Sequence, residues 1–178
     1  MRDIEGIETV VERLKPHWKA IEAHFEHENN RFKALLAQDH DLLGRVLKCH
    51  LVIEHYLDRF LTAHYEIRDL ADAKLSFYQK AKLLPDSASA AAFVKPGIVR
   101  LNTIRNQFGH TLRPVLRNND LGTINDALSV ARRGVKFKEP IEAIEAFTTV
   151  ACTFLIVPPP KLQEIFMKAF SEVKVNAP

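Results

Sequence analysis

Apolar residues recur at steps of three and four along most of the chain, the period of one face of an α-helix. The spacing predicts a short helix over Ile4 to Leu14. A second begins at Pro16 and carries Trp18, Ile21, Phe25, Phe32, Leu35 and Leu36 on one side as far as Gln38. Proline fits a first helical turn, where its missing N–H breaks no bond. Asp39 or Asp41 stands where a cap is needed for the next helix, Leu42 to His64. Its stripe runs through Leu42/Leu43, Val46/Leu47, Cys49, Ile53, Tyr56/Leu57 and Phe60/Leu61, broad enough for the central core helix. Glu54 interrupts that stripe with an inward carboxylate, and a buried carboxylate needs a partner. Arg105 is the most economical cation for it; a pair with His50, or reach to solvent, are the alternatives.

Glu66 to Ala73 reads as a loop, followed by a shorter helix from Leu75 to Leu84 that Pro85 stops. After the turn Asp86-Ser87-Ala88-Ser89, an alanine-rich segment runs to Lys95. Pro96-Gly97 then predicts a break and a restart into a helix through Ile98 to His110, ended by Pro114. Asn118-Asn119-Asp120 is a turn, and the next helix spans about Leu121 to Arg133, with Gly134 as its C-cap. Pro140 starts a nearly all-round apolar run, Ile141, Ile144, Phe147, Thr148, Val150, Ala151 and Phe154, that reaches Val157 and suits either core or a subunit contact. Pro158-Pro159-Pro160 ends it. A last helix, Leu162 to Val173, is expected to turn Ile165, Phe166, Ala169 and Phe170 inward. The expected fold is a single all-α helical bundle over 1–178. Its core covers about 42–157, with N-terminal helices in 4–38 and a C-terminal helix over 162–173.

Composition agrees with helices, since 178 residues at 47% hydrophobic content can bury a core and only six are glycine. No apolar run reaches the ~18 residues of a membrane span. The start Met1-Arg2-Asp3-Ile4-Glu5 has no apolar stretch of the secretory kind. A cytoplasmic protein without membrane contact is expected. Cys49 and Cys152 lie within helical patterns and read as small hydrophobes, not as a disulfide or a zinc pair. His24, His27 and Glu28 share a helix face, but no Glu-x-x-His pair on another helix answers them, so no metal is expected. Neither a glycine-rich phosphate loop nor a helix-turn-helix occurs. That argues against nucleotide use and sequence-specific DNA binding, and no cofactor is expected.

Charge changes the picture more. The net charge is +3, yet Arg100 to Lys138 holds eight basic residues against Asp120 and Asp126, giving that segment +6 and the remainder −3. Such asymmetry points to an anionic partner. The segment opens inside Ile98–His110, where Leu101, Ile104 and Phe108 form an apolar stripe and Asn102, Arg105, Asn106, Gly109 and His110 cover the adjoining face. Asn102, Asn106 and His110 stack at i, i+4 and i+8. Gly109 lets a phosphate or another backbone come close. An RNA ligand would bring its own nucleophile, the 2′-hydroxyl. Histidine, with an ordinary pKa of ~6.5, can move the proton, and arginine offers a planar fork to phosphate oxygens. Asn106 is one turn before His110 and can orient the imidazole or donate to phosphate. One helix supplies one histidine, so a second proton-transfer group implies a symmetry mate and a homodimer. Alternatively, Arg105 pairs with Glu54 and His110 is a cation favoured by the helix C-terminus, and the motif only holds the bundle together.

The run Arg105-Asn106-Gln107-Phe108-Gly109-His110 resembles the Arg-polar-x-x-x-His signature of the HEPN superfamily of helical proteins. Val52-Ile53-Glu54-His55-Tyr56-Leu57 looks like that superfamily's acidic core helix. Leu75-Ser76-Phe77-x-x-Lys80 looks like the segment before the motif in the mannitol operon repressor branch. Order and spacing agree from about Leu42 to Leu112. The resemblance implies a HEPN-type bundle and, as in many members, a metal-independent endoribonuclease of toxin or phage-defence type, with the motifs of a dimer face to face. It implies Arg105 and His110 as the catalytic pair with Asn106 orienting, and Glu54 and Asn102 as positioning residues. Arg113 and Arg117 are the expected contacts to RNA phosphates. The implied partners are a second copy, RNA, and a protein partner or antitoxin. Other members, including the mannitol repressor branch, share the fold in regulatory roles, so a non-catalytic regulator acting through protein contacts is the alternative. Leu112 stands where toxins paired with a nucleotidyltransferase antitoxin often carry a tyrosine.

Overall fold

The computed structural model describes residues 7–36 and 41–171, and all regular structure among them is helical. Several expectations lie outside the described residues. They are the helix start at 4–6, the end of the second helix at Gln38, a cap by Asp39, residues 172–173 of the last helix, and the side chains of Phe32, Leu35, Leu36 and Phe166. The chain forms two compact units, Met1–Asp39 and His40–Pro178.

In the first unit, α1 (Ile7–Leu14) leads through a 3-10 turn, Lys15–His17, into α2 (Trp18–Leu36). Pro16 therefore belongs to the turn, and the second helix begins two residues later than its position suggests. Trp18 Nε1 donates to Glu22 at 2.7 Å, and Lys15 pairs with Glu12. Val10, Val11, Leu14, Trp18 and Phe25 are exposed.

The second unit is built on α3 (Asp41–His64), α5 (Ala90–Gly109), α6 (Thr123–Ala131) and α7 (Pro140–Phe154). Val46, Ile53, Leu57 and Leu61 of α3 meet Ile98, Leu101 and Ile104 of α5, Ile124 of α6, and Ile144, Phe147 and Ala151 of α7 in one buried core. Arg45 on α3 donates both Nε and Nη2 to Glu145 on α7 at 2.9 Å. One turn on, Cys49 lies beside Thr148, so these helices run parallel. Burial pushes both thiols above their ordinary range, that of Cys152 to about 11. Most of the α7 run is core: Ile141, Ile144, Phe147, Thr148, Val150 and Ala151 are buried and Phe154 is half-buried, whereas Thr149 and Thr153 on the helix and Ile156 and Val157 past its end are exposed.

Pro96 and Gly97 do not break the chain; α5 runs through both. The helix starts earlier, at Ser89, whose hydroxyl accepts the Ala91 N–H at 3.3 Å. Two neighbours then fill what the Pro-Gly pair leaves open. Thr123 donates its hydroxyl to the Pro96 carbonyl at 3.0 Å, and the Phe147 ring lies where a Gly97 side chain would be. Gly97→Ala should therefore lower unfolding stability by about 1–3 kcal/mol through overpacking, against a propensity gain of roughly 1 kcal/mol. Urea melts of Gly97→Ala with and without Phe147→Leu check this. The smaller residue at 147 should relieve the loss, and equal losses in both backgrounds would refute the packing explanation.

The short helix α4 (Phe77–Lys82) is closed at both ends. Ser76 caps its start and Gln79 returns the bond to the Ser76 N–H at 2.9 Å. At its other end the buried Lys95 of α5 donates to the carbonyls of Lys82 at 3.1 Å and Leu84 at 2.6 Å, and to Asp86 at 2.6 Å. The last helix, α8 (Pro160–Ala169), departs from expectation: Ile165 is 61% exposed and Ala169 is exposed. Among the described side chains from 161 to 171, Phe170 alone is half-buried, edge-on to Phe154 at 6.0 Å. No described helix is long and apolar enough to cross a membrane.

Candidate functional site

The last turns of α5 carry a buried side and an open one. Ile104 and Phe108 are buried, whereas Arg105, Asn106, Gln107, Gly109 and His110 are exposed. Arg105 Nη1 donates to Asn106 Oδ1 at 3.3 Å. The same nitrogen passes 3.9 Å from the vacant side-chain position of Gly109. His110 follows the final turn, tied by its backbone N–H to the Gln107 carbonyl at 3.3 Å. Its imidazole has no hydrogen bond or ion pair among the described residues. At about 100° per residue, Arg105 and His110 stand roughly 140° apart around the helix axis. Asn106 and Gly109 lie between them, and Asn106 receives the guanidinium.

Arg113 and Arg117 are exposed in the loop after α5. The Arg117 N–H donates to Asp120 Oδ2 at 2.7 Å and Arg100 Nε donates to the Asp120 carbonyl, so one of the segment's two acids is committed to folding the loop back. Arg132, Arg133, Lys136 and Lys138 are also exposed.

Beneath this face lies a group that the sequence pattern did not single out. His50 of α3 is 6% exposed, and its ring stacks on Phe77 of α4 with centroids 3.8 Å apart and planes 26° apart. Its Nε2 faces Asn102 Oδ1 at 3.4 Å, while Nδ1 is buried and has no partner among the described residues. Asn102, expected on the polar face, is thus largely buried at its foot. The signal was present: His50, Glu54 and Asp58 recur every four residues on α3, and Phe77 and Lys80 answer them one turn apart on α4.

Glu54 does not pair with Arg105. Its partner is Lys80, whose Nζ lies 3.0 Å from Glu54 Oε1 and 2.8 Å from Asp58 Oδ1. The reason is the direction of packing. Phe77 and Lys80 lay α4 along α3 over His50 and Glu54 in the same direction, and Lys95 of α5 sits at the end of α4. Asn102 meets His50, so α5 runs antiparallel to α3 and Arg105, past Asn102, is carried toward the start of α3, away from Glu54. The α4 helix lies over the other end of the row. Desolvation acts to lower the Lys80 pKa, but its bonds to Asp58 and Glu54 outweigh that and hold it above the ordinary lysine value. The segment Leu75-Ser76-Phe77-x-x-Lys80 is thereby accounted for as a docking device, and Glu54 belongs to that joint and not to the Arg105 face.

Burial pushes the His50 imidazole below its ordinary value; the bond to Asn102 and the charge of Glu54 oppose this, and the charge of Arg105 adds to it. In the window between that lowered value and about 6.5, the unfolded chain binds a proton that the folded one does not. Stability from this group is then complete above about pH 6.5 and declines as pH falls through the window. Melting temperatures from pH 7.5 to 5 should drop more steeply for the parent than for His50→Phe. Parallel pH slopes would show that His50 is not the source.

The clefts lie elsewhere. One of about 340 Å³ is lined by Phe60, His64, Ala90, Phe154 and Met167, near the end of α3. The Arg105–His110 face is open, and suits an extended ligand more than a small enclosed one.

Searches of protein families, curated proteins and solved structures find no match to this chain.

What the face can do follows from its groups. It presents a guanidinium able to grip two phosphate oxygens, an amide that steadies it, and an imidazole free to take or give a proton.

Proposed function

We propose that the chain is a HEPN-type helical domain that cleaves RNA without metal at the end of α5, as a cytoplasmic homodimer of toxin or phage-defence type. The observation that carries this reading is an exposed Arg105–Asn106 pair followed by an exposed His110 that has no partner among the described residues, within the segment of charge +6. The RNA 2′-hydroxyl oxygen attacks the adjacent phosphorus, and its proton passes to the imidazole of His110. Arg105 holds the non-bridging oxygens as negative charge grows on them. The P–O5′ bond breaks, and the leaving oxygen takes a proton from the second copy's imidazole. The products are a 2′,3′-cyclic phosphate and a 5′-hydroxyl. Arg105 and His110 diverge around one helix axis, which favours two copies converging on one phosphate over a single chain acting alone. Arg113 and Arg117 extend the basic track along the RNA, and an antitoxin or other protein partner would mask the face.

The test is incubation of purified protein with mixed RNA in excess chelator, beside Arg105→Ala and His110→Ala variants of matched melting temperature. Cutting by the parent alone is expected. No cutting, or equal cutting by all three, removes the reading. A second reading, a mannitol-repressor-like regulator acting through protein contacts, is favoured by the exposed apolar Leu47, Leu51 and Val52 on α3. Under that reading a protein partner is bound and RNA stays intact.

A further inference from the structure

We infer that His50 is a positioning residue for the Arg105–His110 face, acting by fixing which end of the Asn102 amide the face presents. The inference rests on the reading of that face as a site for RNA phosphate.

Asn102 is the first member of the row Asn102, Asn106, His110, one turn below the amide that receives Arg105. An asparagine side chain has a carbonyl end and an N–H₂ end of nearly the same shape. Opposite an anion the two are not equivalent, because N–H attracts a phosphate oxygen and C=O repels it. The Oδ1 of Asn102 is turned to His50 Nε2. An oxygen there requires the ring proton to sit on Nε2, and it leaves the Asn102 N–H₂ as the end available to the face. Among the described residues the Asn102 amide nitrogen makes no hydrogen bond, and it is not one of the buried side-chain atoms without a partner, so it is not sealed away.

The imidazole itself is held from behind. Its plane is set by the stack on Phe77, and Phe77 is set by the docking of α4 through Lys80 onto Glu54 and Asp58. A group serving only to fill this space would do better as a hydrocarbon, since the imidazole leaves Nδ1 buried and unpaired. Among the described residues, the bond to Asn102 is the one hydrogen bond that the ring makes. The charge of Arg105 also reaches the ring, where it acts with burial to lower the imidazole pKa.

The experiment measures binding of a 2′-O-methyl RNA oligonucleotide, which lacks the nucleophile, and cleavage of the matching RNA. Both are read for the parent, His50→Phe, His50→Gln, Asn102→Leu and the His50→Phe/Asn102→Leu double variant. His50→Phe keeps a ring against Phe77 and is expected to fold. It should weaken oligonucleotide binding about tenfold, the scale of one hydrogen bond to a charged group. His50→Gln, which still offers an N–H toward Asn102, should recover most of that loss, and the double variant should bind no worse than Asn102→Leu. Binding by His50→Phe equal to the parent, or losses that multiply in the double variant, would overturn the inference. If the parent binds the oligonucleotide but leaves RNA uncut, the cleavage reading fails and the His50 inference is judged on binding alone. If the parent cuts and His50→Phe binds and cuts as well as it does, only the His50 inference falls. A parent that neither binds nor cuts removes both.

Discussion

His110→Ala is expected to slow metal-free RNA cleavage by about 10²–10⁴-fold, the usual contribution of a positioned acid–base group, and to leave the thermal melt unchanged. The stability half follows from the surroundings of the side chain. It is exposed and makes no bond or ion pair among the described residues, so its removal breaks nothing in the fold. The rate half follows from its chemistry, as no other titratable side chain lies on the row with Asn102 and Asn106. Arg105→Ala should cost about 10²–10³-fold by removing a donor fork from the developing charge. Arg105→Lys should recover only part, because a single ammonium cannot grip two oxygens in one plane. The two alanine substitutions act on one step, so their combination should cost less than the product of the separate losses. Single-turnover rates beside melting curves check all of these together. A loss of activity that tracks a fall in melting temperature would mark both residues as structural.

Lys95→Met is expected to lower unfolding stability by about 2–4 kcal/mol, since buried acceptors left without a donor cost roughly 1–3 kcal/mol each. Lys95 is 6% exposed, and its ammonium bonds the carbonyls of Lys82 and Leu84 where α4 ends. Methionine matches the stem of lysine, so the substitution removes the donors and little packing. The third contact, to Asp86, joins a carboxylate whose side chain is 75% exposed. Asp86→Ala should therefore cost under about 1 kcal/mol, as exposed ion pairs do. Urea melts of the two variants decide between the carbonyls and the ion pair as the source of the effect. A Lys95→Met protein as stable as the parent, or an Asp86→Ala loss of equal size, would refute this assignment.

The helical character, the central place of α3 and the proline start of α7 are all visible in residue spacing, because each rests on periodicity and local caps. Three features are not, and each depends on a neighbour far along the chain. Pro96-Gly97 carries the local signature of a break, yet the Thr123 hydroxyl and the Phe147 ring turn it into a packing joint inside one helix. Lys95 reads as one more surface lysine until the end of α4 is folded over it. Glu54 needs a partner, and spacing along α3 leaves Arg105, His50 and solvent open; Lys80 takes it because α4 lies over that end of α3 while the antiparallel course of α5 carries Arg105 away.

The Arg105–Asn106–His110 face was the most legible part of the site, since exposed polar residues at helical spacing need no tertiary contact to align. Its foot was not. His50 sits in α3 as one of eight histidines, and its role depends on a stack with Phe77 and a contact with Asn102 that two other helices supply. Ile165 and Ala169 of α8 show the reverse: apolar residues at helical spacing that stay exposed, because periodicity alone does not supply a surface to pack against.

The most direct measurement of the central claim is the chemistry of the RNA ends left by the parent protein in excess chelator. A 2′,3′-cyclic phosphate with a 5′-hydroxyl, absent when His110→Ala replaces the parent, is the result predicted by 2′-hydroxyl attack with proton transfer through that imidazole. RNA left whole, or ends bearing a 3′-hydroxyl and a 5′-phosphate, would contradict it.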